Sequence, residues 1–182
     1  MLPIEVEARV RRARREPLFS RGELPSAVEL GRDAVERLLP HRGAMLLLDG
    51  IVGVDARRGR LMARRHVSAA DPVFDGHFPE NPVYPGVLLV EMSGQLGLCV
   101  RHFLYHGASD VPTLARPSPV RLIRVWDAVF AAEARPSDDL DVMAEVIDDN
   151  GYTFTALGQV ARAGTILSVT VFEALIGGAT DA

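Results

Sequence analysis

The sequence of 182 residues contains no lysine: all 20 basic residues are arginine, set against 24 acids for a formal charge of −4. That balance argues against general binding to nucleic acid or to a membrane surface. Arginine clusters at Arg11, Arg12, Arg14 and Arg15, and again at Arg116, Arg121 and Arg124, are still candidates for an acidic partner. A single cysteine, Cys99, excludes an intrachain disulfide and fits a reducing, cytoplasmic compartment. No apolar run approaches the roughly 18 residues of a membrane span. The N-terminal MLPIEVEARVRRARRE has charges from Glu5 onward and no apolar core, so no signal peptide is expected. Phosphate-binding glycine loops, dinucleotide fingerprints and serine-nucleophile motifs are missing too. His102 and His106 have a metal-compatible i,i+4 spacing but no third ligand beside them, so no metal is expected.

What is present fits one globular domain, with no Pro/Gly/Ser-rich linker, repeat or low-complexity tract. Residues 1–32 read as an N-terminal extension, 33–176 as the main domain and 177–182 as a tail. In the extension, Val6, Val10 and Ala13 share a helical face, with Glu5/Arg9 and Glu7/Arg11 as supporting pairs, and Pro17 closes it. SRGELPSAVELG reads as a connector, and Asp33 with Glu36 resembles a capping box for a short helix ending at Pro40. MLLLDGIVGVD and RLMARRHV read as two strands, followed by a loop over 68–84 rich in Gly, Pro, Asp and Asn. Pro85 then opens a helix that runs to Gly107. Its small residues Gly86, Ser93, Gly94 and Gly97 invite close approach. Past Pro119 the chain turns β: Leu140, Val142, Ala144 and Val146 alternate, Asn150-Gly151 marks a hairpin, and Ala163-Gly164 marks another turn. Two strands, a long helix and several antiparallel strands make an α+β fold, with the sheet wrapped around a central helix.

Chemistry concentrates in GHFPENPVYPGVLLVEMSGQLG, residues 76–97. His77 sits in a loop stiffened by Pro79, Pro82 and Pro85, and imidazole is the side chain best poised to exchange a proton near neutral pH. The helix start at Gly86 offers free N–H groups and a positive dipole end that can stabilise a developing oxyanion. Glu91 lies five residues further on, about 7.5 Å along the axis. Base, oxyanion donor and acid are the parts required for proton abstraction beside a carbonyl with loss of a β-hydroxyl. On residue chemistry alone each keeps a structural alternative: a histidine that braces its loop, and a carboxylate that reaches solvent.

The same stretch closely resembles the signature of the 3-hydroxyacyl-[acyl-carrier-protein] dehydratases of the hotdog fold, G-H-F-P-x-x-P-x-x-P-G-V-x-x-x-E-x-x-x-Q. Gly76, His77, Phe78, Pro79, Pro82, Pro85, Gly86, Val87, Glu91 and Gln95 match in register. LLPHRGAMLLLDGI, residues 38–51, resembles the family's upstream L-P-H-R-x-x-x-L-L-x-D segment. The resemblance covers residues 33–174 and is loose beyond about residue 110. It implies a double-hotdog dimer in which His77 removes the C2 proton, Glu91 protonates the departing C3 hydroxyl, and Gly86 N–H polarises the thioester carbonyl. Phe78, Val87 and Gln95 would line the substrate site. It further implies that His77 and Glu91 of one site come from opposite protomers, so that burial under the partner's loop favours the neutral, proton-donating form of Glu91. The implied partners are an acyl carrier protein and a second copy of the chain, as a homodimer, a trimer of dimers or a heterodimer with another hotdog subunit. No cofactor is implied. Glu rather than Asp at position 91 points to the simple dehydratases rather than the dehydratase/isomerases. His41 and Arg42 are expected to organise local structure.

Several departures mark a divergent member, one fitted to fatty acid or specialised polyketide or polyene synthesis. Among them are Met92-Ser93-Gly94 in place of the usual Ala-rich stretch and some 32 residues ahead of the first motif. Gly43-Ala44-Met45 replaces the usual Tyr-Pro-Phe, RPSDDL at 135–140 is a degenerate form of R-P-V-x-P-G-D, and VRLIRVWDAVFAAEA is a few residues too long. Two other readings remain: a non-catalytic subunit that shapes the acyl tunnel, and a hotdog thioesterase.

Overall fold

A computed structural model describes residues 3–177. The tail expected at 177–182 lies, from residue 178 onward, outside the described residues. Seven strands form a single antiparallel sheet in the order β1-β2-β3-β5-β6-β7-β4. They are β1 (Ser26–Gly31), β2 (Gly50–Asp55), β3 (Arg60–His66), β4 (Val120–Phe130), β5 (Asp139–Asp149), β6 (Thr153–Arg162) and β7 (Thr165–Ile176). Three helices accompany them: α1 (Ile4–Ala13), α2 (Arg32–Leu38) and α3 (Gly86–His106).

The α3 helix lies across β3, β5, β6 and β7. Its stop is local: Gly107 takes the left-handed conformation (φ 64°) and its N–H bonds the carbonyl of Phe103. By length and composition α3 is apolar enough to cross a bilayer, unlike the sequence expectation. The wrapped sheet accounts for that apolarity, because Leu89, Met92, Leu96, Cys99, Val100 and Phe103 pack against Ala63, Val142, Ala144 and Val160. Small residues admit side chains at Gly86 and Gly97 and a close backbone approach, that of Gly158, at Ser93. A Cβ on Gly97 would meet the Phe172 ring at 2.3 Å, one on Gly86 would meet Phe130 at 2.9 Å, and Ser93 fits against Gly158.

The other face of the sheet is also covered. Val10, Ala13, Phe19 and Leu24 pack onto Val52, Met62, Met143, Leu157, Val169 and Val171 in a second core. Gln159, fully buried, fastens this N-terminal strap. Its Nε2 donates to the carbonyls of Ala13 (2.6 Å) and Glu16 (2.9 Å), and its Oε1 accepts from the N–H of Leu18 (2.9 Å). The bond to Ala13 satisfies a carbonyl that the end of α1 would leave open. Arg9 pairs with Glu145, which Arg60 also contacts at 3.3 Å.

Several local expectations are corrected. SAVELG is not connector but edge strand β1, whose Val28 and Leu30 turn toward the main core. The α2 N-cap is Gly31 with no side-chain cap, and Asp33 sits in the first turn, where its charge suits the dipole. The strand read from Met45 begins only at Gly50, because the Gln95 side chain takes the bonds of Met45 and Leu47 that a ladder would use. The surplus length of β4 is absorbed by register shifts at Leu122/Arg124 and Val125/Asp127, as bulges on an edge strand do.

Candidate active site

The loop before α3 is built to hold one imidazole. Asp71 caps a 3-10 turn over Pro72–Asp75 by accepting from Val73 N–H at 3.1 Å. His77 N–H then donates to the Val73 carbonyl at 3.0 Å. Val83 grips the same residue twice: its N–H donates to the His77 carbonyl (3.0 Å), and its carbonyl accepts from the ring's Nδ1 (2.8 Å). A carbonyl can only accept, so Nδ1 carries the hydrogen and a neutral ring keeps its lone pair on Nε2. The Phe78 ring stacks on the imidazole at 4.1 Å between centroids. The degenerate RPSDDL segment braces this loop from outside. Arg135 donates to Asn81 Oδ1 at 2.9 Å, and Ala134 accepts from Tyr84 N–H at 2.7 Å.

At the mouth of α3, Pro85 is the N-cap and Gly86 the first helical residue. N–H groups at this position have no partner within a helix and sit at its positive end. Phe130 lies against Gly86 so closely that no larger residue fits without movement.

Glu91 sits one turn before Gln95 with its side chain 32% exposed, on a cleft of about 190 Å³. His41, Val90, Gly94, Leu122 and Phe172 contribute to the same cleft. Gln95 is buried with its amide fully used. Its Oε1 accepts from Leu47 N–H (3.0 Å), and its Nε2 donates to Met45 O (2.7 Å) and to Glu91 Oε1 (2.9 Å). Gln95, expected at the substrate site, lines the same cleft and holds the carboxylate. His41 Nε2 lies 3.2 Å from the same Oε1. Sequence reasoning gave His41 only a local structural role; its place in the L-P-H-R segment was the available signal.

His77 does not line the Glu91 cleft and makes no hydrogen bond to Glu91 within the chain. Phe78 and Val87 are more than half exposed, at 53% and 72%. Among the clustered arginines, Arg11 faces Glu7, Arg12 binds Glu16 and Arg14 binds Asp127. Arg121 and Arg124 are exposed on β4, with Arg124 lying over Trp126 at 4.2 Å. The rings of His102 and His106 are 4.5 Å apart, and no set of three His, Cys, Asp or Glu forms among the described residues.

A long helix held in an antiparallel sheet, with a proline-rich histidine loop at its start and a carboxylate on its first turns, defines a hotdog-fold protein. Solved structures agree on the fold: the dehydratase heterocomplex ApeI:P from Xenorhabdus doucetiae matches with a TM-score of 0.61 at 18% identity, over 80% of this chain and 91% of that one. The chain belongs to the FabA-like domain family, whose model matches residues 39–165. It is similar to the 3-hydroxyacyl-[acyl-carrier-protein] dehydratase FabZ of a Nitratiruptor species, with 32% identity over 142 residues that cover 78% of this chain and 94% of the relative. FabZ of Xylella fastidiosa is 48% identical over 108 residues, 58% of this chain and 63% of the relative.

Proposed function

We propose that this chain is a 3-hydroxyacyl-[acyl-carrier-protein] dehydratase that uses His77, Gly86 and Glu91. The observation that carries the chemistry is the His77 Nδ1–H bond to Val83, which leaves Nε2 as a fixed base. Nε2 takes the C2 proton while Gly86 N–H stabilises charge on the thioester oxygen. The electron pair becomes the C2–C3 double bond, the C3–O bond breaks, and Glu91 gives its proton to the departing hydroxyl, which leaves as water. His77 and Glu91 belong to different sites: His77 of the partner subunit completes the cleft of each Glu91. Two features support this. The two residues do not share a cleft within one chain, and edge strand β4 leaves Leu122, Ile123, Val125 and Phe130 exposed for a second copy. A buried, unbridged Cys99 suits a reducing, cytoplasmic setting.

His77→Ala and Glu91→Gln should each lower turnover by roughly 10²–10⁴ while the assembly stays intact. Mixing the two inactive chains should recover about a quarter of wild-type activity, because half of random dimers are hybrids with one intact site of two. Near-wild-type turnover by either variant overturns the assignment, and no recovery after proven subunit exchange overturns the shared site. Release of free acid instead of water identifies a thioesterase. Water loss only after addition of another hotdog subunit identifies a tunnel-shaping partner.

A further inference from the structure

We propose that a basic cavity at the C-terminal end of α3 receives a carboxylate at the far end of the acyl chain. The preferred substrate is then a 3-hydroxyacyl thioester whose chain ends in an acid, which rests on the dehydratase reading above. The cavity, of about 330 Å³, adjoins the Glu91 cleft, and the two share Pro40, Leu98, Ser118 and Val120 as walls. Both follow one face of α3, because Glu91, Gln95, Leu98, His102 and His106 recur at the spacing of a helical stripe. Two arginines and two histidines line the cavity, Arg101, Arg116, His102 and His106, and no acid does.

Positive charge is available there. Arg116 is exposed and enters no ion pair among the described residues, while Arg101 has Asp149 at 3.7 Å, from outside the cavity lining. Burial, with His106 beside it, keeps the His102 pKa below its ordinary value against the opposing pull of Asp110, so the arginines carry the fixed charge. Arg101 Nε and His102 Nε2 are buried with no hydrogen-bond partner, although buried polar atoms ordinarily find one.

The wall between the reacting carbon and this charge suits methylenes. Beyond Glu91, His41 and Gln95, the only polar side chain on the cleft is Ser118, at its boundary with the basic cavity. The carrier's pantetheine arm would leave amides unpaired along such a wall, at a cost an alkyl chain does not meet. Length agrees as well. Arg101 stands ten residues past Glu91, about 15 Å along the axis. At about 1.2 Å per bond of an extended chain, the far carboxyl of a dodecanedioyl group lies about 11 Å from C3. The long side chains of Arg101 and Arg116 span the remainder.

The test uses the purified full chain with 3-hydroxydodecanedioyl and 3-hydroxydodecanoyl groups on acyl carrier protein, and follows water loss by mass spectrometry. The acid-ended chain should have the higher kcat/KM, by about 10-fold or more, as a hydrogen-bonded charge provides. Arg116→Ala should remove most of that preference and leave the methyl-ended chain within about twofold. Arg116→Glu should turn the preference against the acid. Calorimetry with dodecanedioyl-pantetheine and dodecanoyl-pantetheine, which lack both the 3-hydroxyl and the phosphate, reads the cavity without turnover. The acid-ended compound should bind about 10-fold tighter, and Arg116→Ala should erase the difference. Equal binding of the two compounds overturns the proposal, as does a preference that Arg116→Ala leaves intact. Equal slowing of both carrier-borne chains by Arg116→Ala also overturns it, because Arg116 would then hold the carrier or its phosphate. Arg116-dependent binding of the acid without any water loss would uphold the cavity's ligand and remove the dehydratase reading.

Discussion

Gly97→Ala sets two effects of opposite sign against each other. On an exposed helix the change would stabilise by about 1 kcal/mol, through the lower helix propensity of glycine. Gly97 is buried in the middle of α3, where a Cβ would meet the Phe172 ring at 2.3, 3.1 and 3.4 Å. That ring is 2% exposed and packs edge-on against the fully buried Phe154, 6.3 Å away, so it can give way only toward the Glu91 cleft, which it also lines. Overpacking of a tight core costs about 1–3 kcal/mol, and an approach this close belongs at the upper end. The net expectation is a loss of about 1–2 kcal/mol, or a fall in Tm of about 2–8 °C for a chain of this size. Thermal unfolding by circular dichroism at matched protein concentrations reads it. Phe172→Leu should relieve the crowding, so the double variant should lose less than the sum of the single ones. A Tm at or above wild type, or strict additivity, would refute the reasoning. Phe172 also lines the Glu91 cleft, so turnover should fall with the Tm and recover with it.

Two further predictions concern the back of the sheet and the core. Gln159→Leu removes three bonds to the strap and strands the carbonyls of Ala13 and Glu16; it should cost about 2–3 kcal/mol and speed amide exchange over residues 10–24, and unchanged exchange there would contradict it. Burial pushes the Cys99 thiol well above its ordinary range, so the folded protein should not react with a thiol reagent such as DTNB and should show one thiol per chain once denatured; reaction at a free-thiol rate would show the core to be open.

The long helix, its glycine stop and both hairpin turns were legible because each is a local event. Gly107 needs only its own conformation, and Asn150-Gly151 only the strands beside it. The motif around His77 and Glu91 was legible as chemistry for the same reason, since the parts lie within one loop and helix. What spacing could not show is contact across the fold. His41 and Gln95 meet on one carboxyl oxygen although they come from different elements, and Gln159 caps a helix at the opposite end of the chain. Strand β1 hid because SAVELG is short and its alternation matters only once β2 lies beside it. The apparent capping box failed because the chain enters α2 straight from β1, which moves the first turn two residues earlier than Asp33 would have it.

The strap also sets an order of events. Residues 4–24 are synthesised well before β5, β6 and β7, which complete the surface they cover. Val10, Phe19 and Leu24 must wait until β6 has been made before Gln159 exists to hold the segment. Contacts between such distant parts form late and slowly. Until they form, Met62, Met143, Leu157 and Val171 present an apolar strip on the outside of the growing sheet. The nascent chain is therefore most vulnerable to wrong association while this strip stands uncovered, and a segment made well before the strip provides the closure.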